Sequence, residues 1–467
     1  MSEARGSGAG ARARDAGAIQ WRRSIAWLLF LGPFFFLSYG AANQWAAGLE
    51  QLGSIRYDWE RAIPFVPWTI VPYWSIDLLY GLAFLFCRSA RAVDRLAWRL
   101  LGVQLVSVAC FVLFPLRFGG GQPEVAGVFA PLFDALRAFD QPFNQAPSLH
   151  IGLLVVIWAQ FVRHSPPRWR GLIHAWALLI GVSVLTTWQH HFIDLPTGAL
   201  VGALALWLWP DEGDLPLAGF RLTQDTRRRQ LAARYAAGAA VFALPALAGG
   251  AWLWSLWVAV SLALLALIHL GPGGAGLQKT SGRHSLAVRM LLAPYLLGAR
   301  INQRLWSRRR PDRDLICDDV WLGALPARLD PIDGRLPALV DLTAELAAPH
   351  TAPHSAPHNA ARYRNHAWLD LVPPSPAALA EAAHSIEALR AHGPVLVCCA
   401  LGYGRSAAAV AAWLVLSGRA PDAAEAIARI RARRPRIVLH PPHLHALEAL
   451  AAHAPCATIP LAAPCQT

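Results

Sequence analysis

Charge is scarce in this chain. Asp, Glu, Lys and Arg make up 15% of its 467 residues, against 55% hydrophobic side chains, where ordinary soluble domains carry roughly 25% charged residues. With a mean hydropathy of +0.35, this excludes one soluble domain and leaves room for two or three. The charge present leans one way: 42 basic against 29 acidic residues leave a net +13, nearly all of it arginine. No basic run carries interleaved aromatics on a polar surface, which argues against nucleic acid and for loops facing anionic lipid. Cysteine is sparse too. Cys87, Cys110, Cys317, Cys398, Cys399, Cys456 and Cys465 follow no regular spacing, so no disulfide framework is expected. A cleavable signal peptide is not expected either. The first apolar run follows a tail bearing Arg5, Arg12, Arg14, Arg22 and Arg23 and leads into further apolar runs. Tryptophan, by contrast, is plentiful at 20 residues, which suits anchoring at membrane boundaries.

A bilayer is crossed by roughly 20 apolar residues in a helix. Such runs predict spans near Ser24–Ala42, Phe65–Cys87, Ala97–Pro115, Leu149–Val162, Gly171–Trp188 and Phe192–Trp209, with two more near Arg234–Ala248 and Ala251–Leu270. The fourth and seventh are marginal in length, with re-entrant or interfacial segments as the alternative. Arginines gather in the N-terminal tail, in the second-to-third connection (Arg88, Arg91, Arg95, Arg99), the fourth-to-fifth (Arg163, Arg168, Arg170) and the sixth-to-seventh (Arg227, Arg228, Arg229, Arg234). That asymmetry predicts a cytosolic N-terminus, and an even span count returns the chain to the cytosol. Gly271–Gly276 closes the membrane part. Ser285–Leu305, apolar with Arg289, Arg300 and Arg304, reads as an interfacial amphipathic helix; a ninth span would put the C-terminal part outside, and Arg289 and Arg300 argue against it. A soluble domain begins near Pro311, with Leu336–Leu342 as a buried strand. The Ala-Pro-His repeat with His350, His354 and His358 reads as an extended proline-rich loop. No cysteine or carboxylate cluster accompanies it, and no metal or cofactor is expected.

The soluble part is organised around Val395–Ser406. Val395, Leu396 and Val397 read as a short buried strand ending at Cys399; a loop with Gly402 and Gly404 follows, then Arg405, Ser406 and an alanine-rich helix from Ala407 to Leu416. Strand, glycine-bearing loop and helix build an anion cradle, with amides converging on one point beside a positive helix N-terminus. Such a setting favours the thiolate of a cysteine at the loop's start, and a thiolate enzyme wants a reducing compartment. Arg405 supplies a planar fork for two phosphate oxygens, and Ser406 can hydrogen-bond the sulfur as it departs. The parts suit attack on a phosphate ester through a cysteinyl-phosphate. For Cys-x5-Arg alone, a structural cysteine before a glycine turn is the alternative; the flanking strand, helix and Ser406 weigh against it. Asp370, on a proline-stiffened loop, is the candidate general acid, with a solvated loop carboxylate as its bland alternative.

From about Ile316 to Leu450 the chain resembles the cysteine-dependent dual-specificity phosphatases, with Cys-x5-Arg-Ser, an upstream aspartate and a later helix following Arg433-Arg434-Pro435. The resemblance implies an α/β domain with a central sheet flanked by helices, Cys399 as nucleophile, Arg405 binding phosphate, Ser406 partnering the sulfur and Asp370 as acid. The family's usual histidine before the nucleophile is Cys398 here.

A second constellation lies in the apolar half. Pro147-Ser148-Leu149-His150 precedes the fourth span, His190-His191-Phe192-Ile193-Asp194 links the fifth and sixth, and Arg117 follows the third. Ionisable groups near a bilayer are costly and usually functional. At i and i+4, Asp194 can orient His190 for nucleophilic attack; His150 can act as general acid and Arg117 can hold phosphate oxygens. A helix-end hydrogen bond is the alternative for the His190–Asp194 pair taken alone, and His191 reads as a neighbour. Across Ser24–Trp209 these residues resemble the type 2 phosphatidic-acid phosphatase superfamily, through Pro-Ser-x-His at Pro147–His150, including Ser148, and Ser-x6-His-x3-Asp at Ser183, His190 and Asp194. The first motif survives only as Arg117, and Val184 replaces the arginine after Ser183. The resemblance implies attack by His190, protonation by His150 and support from Asp194. Pro-Ser-Leu-His also resembles the branch that includes sphingolipid head-group transferases.

The expected fold class is therefore a polytopic α-helical membrane bundle followed by an α/β cysteine-phosphatase domain. The divisions are a basic tail (1–23), a six-span phosphatidic-acid-phosphatase-like domain (24–209), a two-span hairpin (210–270), an amphipathic linker (271–310), the phosphatase-like domain (311–455) and a tail (456–467). The expected chemistry is phosphomonoester hydrolysis at a plasma membrane, on a phospholipid or isoprenoid phosphate, a phosphoprotein, or both. Head-group transfer at the histidines, or a non-catalytic anchor for the cysteine phosphatase, are the alternatives.

Overall fold

The structure, a computed structural model, describes residues 19–121, 123–307, 313–349 and 362–452. The His350, His354 and His358 repeat, Pro311, the N-terminal tail to residue 18 and the tail 456–467 lie outside them. The described chain divides into two compact units. One takes the residues up to Ala218 and Val241–Trp257; the other takes Gly219–Ala240 and Val258 onward.

In the first half, apolar runs become helices: α1 (Trp21–Ala47), α2 (Ile70–Ala83), α3 (Ala90–Leu113), α4 (Ala130–Phe139), α5 (Leu149–His164), α6 (Pro167–Thr186), α7 (Asp194–Leu208), α8 (Thr226–Ala243) and α9 (Ser255–Leu270). Among the described residues, six helical stretches are long and apolar enough to cross a membrane: Trp21–Ala47, Pro67–Phe86, Ala90–Leu113, Pro167–Thr186, Thr226–Ala248 and Gly250–Leu270. Outward-facing Leu29, Leu37 and Leu178 are exposed, a surface that suits lipid. The short helices are the fourth and sixth expected spans, not the fourth and seventh. At 1.5 Å per residue α5 and α7 reach only about 24 Å. They pack against each other, and a Cβ on Gly202 would stand 2.6 Å from the Gly152 carbonyl. The helix of the seventh expected span starts earlier than its hydropathy suggests, because arginine is a good helix former and the Asp225 carboxylate accepts the Arg227 and Arg228 N–H groups at 2.8 and 3.1 Å. Helix α4 was not expected; Phe133 and Leu136 form its buried edge.

After α9 the second unit continues with a small hairpin, β1 (Lys279–Thr280) and β2 (Arg283–His284). The expected single helix over Ser285–Leu305 is two: α10 (Leu286–Leu291) and α11 (Ala293–Ser307). Pro294 belongs to the first turn of α11, where its missing N–H costs nothing, whereas it would break a continuous helix. Then come β3 (Arg313–Cys317), β4 (Val320–Ala324), β5 (Ala338–Asp341), β6 (Tyr363–Asn365), α12 (Pro376–Arg390), β7 (Val395–Cys399), α13 (Arg405–Leu416), α14 (Ala423–Arg433) and α15 (Pro441–Ala452). The sheet order is β3-β4-β7-β5-β6, antiparallel only between β3 and β4. Strand β7 is central and fully buried, as an apolar run flanked by parallel neighbours should be. Alanines 407–409, 411 and 412 let α13 pack closely, and its Trp413 indole donates to Glu387 of α12 at 2.7 Å. Lys279, the chain's single lysine, is buried with its Nζ 2.6 Å from the Asp341 carboxylate.

Candidate active site

Ligand-binding loops of open α/β sheets lie at the carboxyl ends of the strands, and Cys399 is the last residue of β7. The loop from Ala400 to Gly404 then turns the chain into α13, so the nucleophile candidate faces a helix N-terminus. The loop is clamped from outside. The Cys399 carbonyl accepts the Leu325 N–H at 2.8 Å, the Tyr403 carbonyl the Val438 N–H at 3.1 Å, and the Gly402 carbonyl the Arg434 Nε–H at 2.9 Å. An amide is planar and trans, so each carbonyl held outward turns the next residue's N–H to the other side, into the loop. Gly402 has φ +71°, and a Cβ there would stand 2.6 Å from the Ala324 nitrogen. Only glycine fits.

The side chains converge. Cys399 Sγ lies 3.3 Å from Ser406 Oγ, both buried. The Arg405 guanidinium is buried beside them and gripped by Glu345, at 2.6 Å from NH2 to Oε1 and 3.0 Å from NH1 to Oε2. NH1 also donates to the Trp368 carbonyl at 2.9 Å. Burial alone would lift the Glu345 carboxyl; the guanidinium outweighs it and holds the group below the usual glutamate range. Arg405 is in turn held well above its ordinary value, burial notwithstanding, by Glu345 and then Asp370. The pair thus stays charged through neutral pH. Asp370 reaches the same guanidinium at 3.1 Å while its own side chain is 49% exposed. The carboxyl thus stands half in solvent against the buried guanidinium, where the candidate general acid is expected. Asp370→Asn is expected to cut kcat about 100-fold on alkyl phosphates, whose leaving oxygen needs a proton, and less on activated aryl phosphates. A plot of rate against leaving-group acidity checks this.

Cys398 is no rival. Burial first, then the Asp341 carboxylate, pushes its thiol well above the ordinary range, and its sulfur lies 3.6 Å from the Val340 carbonyl. Two partners escaped the sequence reading. Glu345 precedes Arg405 by 60 residues, and Arg434, besides holding Gly402, is paired to Asp314. Only Arg434 carried a signal, within Arg433-Arg434-Pro435.

The first unit holds the histidines. His190 Nδ1 is 3.1 Å from Asp194 Oδ2, which also accepts the His191 N–H at 3.0 Å. Ser148 caps α5 by accepting the Ile151 N–H at 3.3 Å, and its own N–H donates to the Asp194 carbonyl at 3.1 Å. That bond sets the helix start bearing His150 beside the one bearing Asp194. His150 stacks on Tyr73, ring centroids 4.3 Å apart. His191 is a strut: Nδ1 meets Glu60 at 3.1 Å and Nε2 accepts the Gly119 N–H at 2.9 Å. A cavity of about 240 Å³ opens beside His190, lined also by Tyr39, Arg137, Asp140, Gln145 and Gln189. Arg117 is exposed and is not among its lining. The lining arginine is Arg137, on the unexpected helix α4. Among the described residues no group of three or more His, Cys, Asp or Glu side chains could hold a metal.

The protein-tyrosine phosphatase family model matches residues 342–451. That span takes in Glu345, Asp370, Cys399, Arg405, Ser406 and Arg434, so the C-terminal part carries a phosphatase domain of that kind. No curated protein matches the chain. Among solved structures it is similar to PTPMT1 in complex with PI(5)P, at 20% identity over 31% of this chain and 98% of that one, with a TM-score of 0.28. It is also similar to the active form of Tk-PTP (26% identity, 31% and 98%, TM-score 0.26) and to human DUSP28 (23%, 31% and 95%, TM-score 0.27).

Proposed function

We propose that this chain is an integral membrane phosphomonoesterase with two sites: a cytosolic cysteine site and a histidine site at the outer ends of the spans. The carrying observation is the Cys399 sulfur 3.3 Å from Ser406 Oγ beside a guanidinium locked by Glu345 and touched by Asp370. At this site the Cys399 thiolate attacks phosphorus, Arg405 and the loop amides take the charge on the phosphoryl oxygens, and Asp370 protonates the departing alcohol. Water then attacks the cysteinyl-phosphate, giving a proton to the Asp370 carboxylate; Ser406 steadies the leaving sulfur, and inorganic phosphate is released. Arginine-rich connections and the six long apolar helices support membrane seating and a cytosolic phosphatase domain in a plasma membrane.

At the histidine site, His190 would attack the phosphorus of a lipid phosphate, oriented by Asp194, with His150 protonating the departing alcohol and Ser148 capping its helix; water, giving its proton to His150, would then displace His190 and release inorganic phosphate. The substrates to compare are phospholipid and isoprenoid phosphates. In full-length protein in lipid nanodiscs, His190→Ala is expected to lower lipid-phosphate hydrolysis at this site about 1,000-fold or more while leaving the Cys399-dependent aryl phosphatase rate intact. Lipid turnover unchanged in His190→Ala and lost only when Cys399→Ser is added would remove the histidine assignment and leave the membrane part an anchor.

Transfer to an alcohol is the second reading of this site. The Asn144 amide donates to the Tyr39 carbonyl at 3.0 Å and the Gln145 amide to the Gln189 carbonyl at 3.3 Å. Their oxygens are buried without a partner among the described residues, beside a cavity whose only lining cation is Arg137. Acceptors of this kind are met by water or by the hydroxyl groups of an alcohol. Labelled donor lipid incubated with and without such an alcohol distinguishes the two by product.

A further inference from the structure

The chemistry at Cys399 leaves its substrate class open; the elements that hold its loops narrow it. The acid loop is held from α8, where the Arg227 Nε–H donates to the Leu371 carbonyl at 3.2 Å, one residue past Asp370. The start of α8 is clasped to the end of α9, with Thr223 N–H on the Leu270 carbonyl at 2.8 Å and Arg228 on the Gly271 carbonyl at 2.9 Å. Just beyond, Gly274 lies so close against the Ala367 carbonyl that no Cβ would fit. The nucleophile is held from α11. Gln303 donates to the Leu325 carbonyl at 2.7 Å, and the Leu325 N–H bonds Cys399. On α11, Leu297, Ile301 and Leu305 are 62%, 48% and 58% exposed and form one stripe at i, i+4 and i+8. Exposed Trp306 and the arginines 300 and 304 flank it. An apolar stripe edged with arginine and tryptophan is what seats a helix among lipid head groups.

We infer that the Cys399 cleft opens at the bilayer surface and that its substrate is the phosphomonoester head group of a membrane lipid rather than a phosphoprotein. This rests on the membrane-spanning reading above, since α8 and α9 are two of its spans. Both catalytic loops are braced by elements that enter or lie on the bilayer, so a lipid phosphate reaches them without leaving its leaflet. The loop interior, Ala400, Leu401 and Tyr403 between glycines, carries no cation beyond Arg405, which suits one phosphate and few further charges.

The test uses full-length protein carrying His190→Ala, so that phosphate release reports Cys399, in nanodiscs of phosphatidylcholine and phosphatidylglycerol. Three probes are compared: phosphatidylinositol monophosphate in the bilayer, soluble inositol monophosphate and a phosphotyrosine peptide, with an aryl phosphate as the internal standard. The bilayer lipid should exceed both soluble probes about 100-fold in kcat/KM, and Leu297→Asp with Ile301→Asp should lower the ratio of lipid to aryl phosphate turnover about tenfold. A soluble probe turned over as well as the lipid, or a ratio unmoved by the double substitution, overturns the inference. Alkaline extraction of the same membranes separates the two failures. A chain that washes out defeats the spanning reading and the inference with it; a chain that stays while the ratio is unmoved defeats the inference alone.

Discussion

Cys399→Ser is expected to abolish aryl phosphate turnover by the full-length protein, by about 10,000-fold or more, with the fold intact. Serine is nearly isosteric, so the loop clamps from Leu325, Arg434 and Val438 are kept. What is lost is the proposed nucleophile, since an alcohol does not ionise near neutrality as a thiol can. Binding should persist, because Arg405, Glu345 and Asp370 are untouched. Steady-state kinetics beside a phosphate-analogue titration checks both halves. The buried thiol of Cys398 offers no substitute.

Lys279→Met is expected to destabilise the catalytic unit by about 3–5 kcal/mol, the usual cost of leaving one member of a buried pair uncompensated. Lys279 Nζ meets Asp341 at 2.6 Å, with both side chains at 0% exposure, and also bonds the Thr343 carbonyl at 2.8 Å. Tyr363 donates to the same carboxylate oxygen at 2.8 Å, too little to replace the ammonium. Asp341 pairs in register with Cys398, next to Cys399, so the loss should reach activity as an earlier thermal inactivation. Adding Asp341→Asn should recover part of the stability, because the orphaned charge is then gone. A fragment beginning near Pro311 would cut Lys279 away and should show the same weakness.

Local chemistry was legible and long-range pairing was not. The Val395–Leu416 strand, loop and helix could be read because every part is adjacent in the chain, and Asp370 from its proline-stiffened loop upstream of that motif; the structure brings it to Arg405. His190 and Asp194 were legible for the same reason, being one helical turn apart. Glu345 to Arg405 and Lys279 to Asp341 are separated by 60 and 62 residues, and no periodicity announces such pairs. Hydropathy found the eight apolar helices but misjudged which are short, because α5 and α7 are enclosed by protein and length is not set by composition alone. Helix α4 was hidden in a stretch with only two buried apolar residues, and with it Arg137, which lines the cavity beside His190 where Arg117 does not.

The most direct measurement is a rapid-quench reaction of the full-length His190→Ala protein with a labelled aryl phosphate, followed by mapping of any phosphorylated peptide. A phosphate on the peptide carrying Cys399, absent in Cys399→Ser, is expected. Full turnover with no adduct there, or an adduct on another residue, would contradict the cysteinyl-phosphate route.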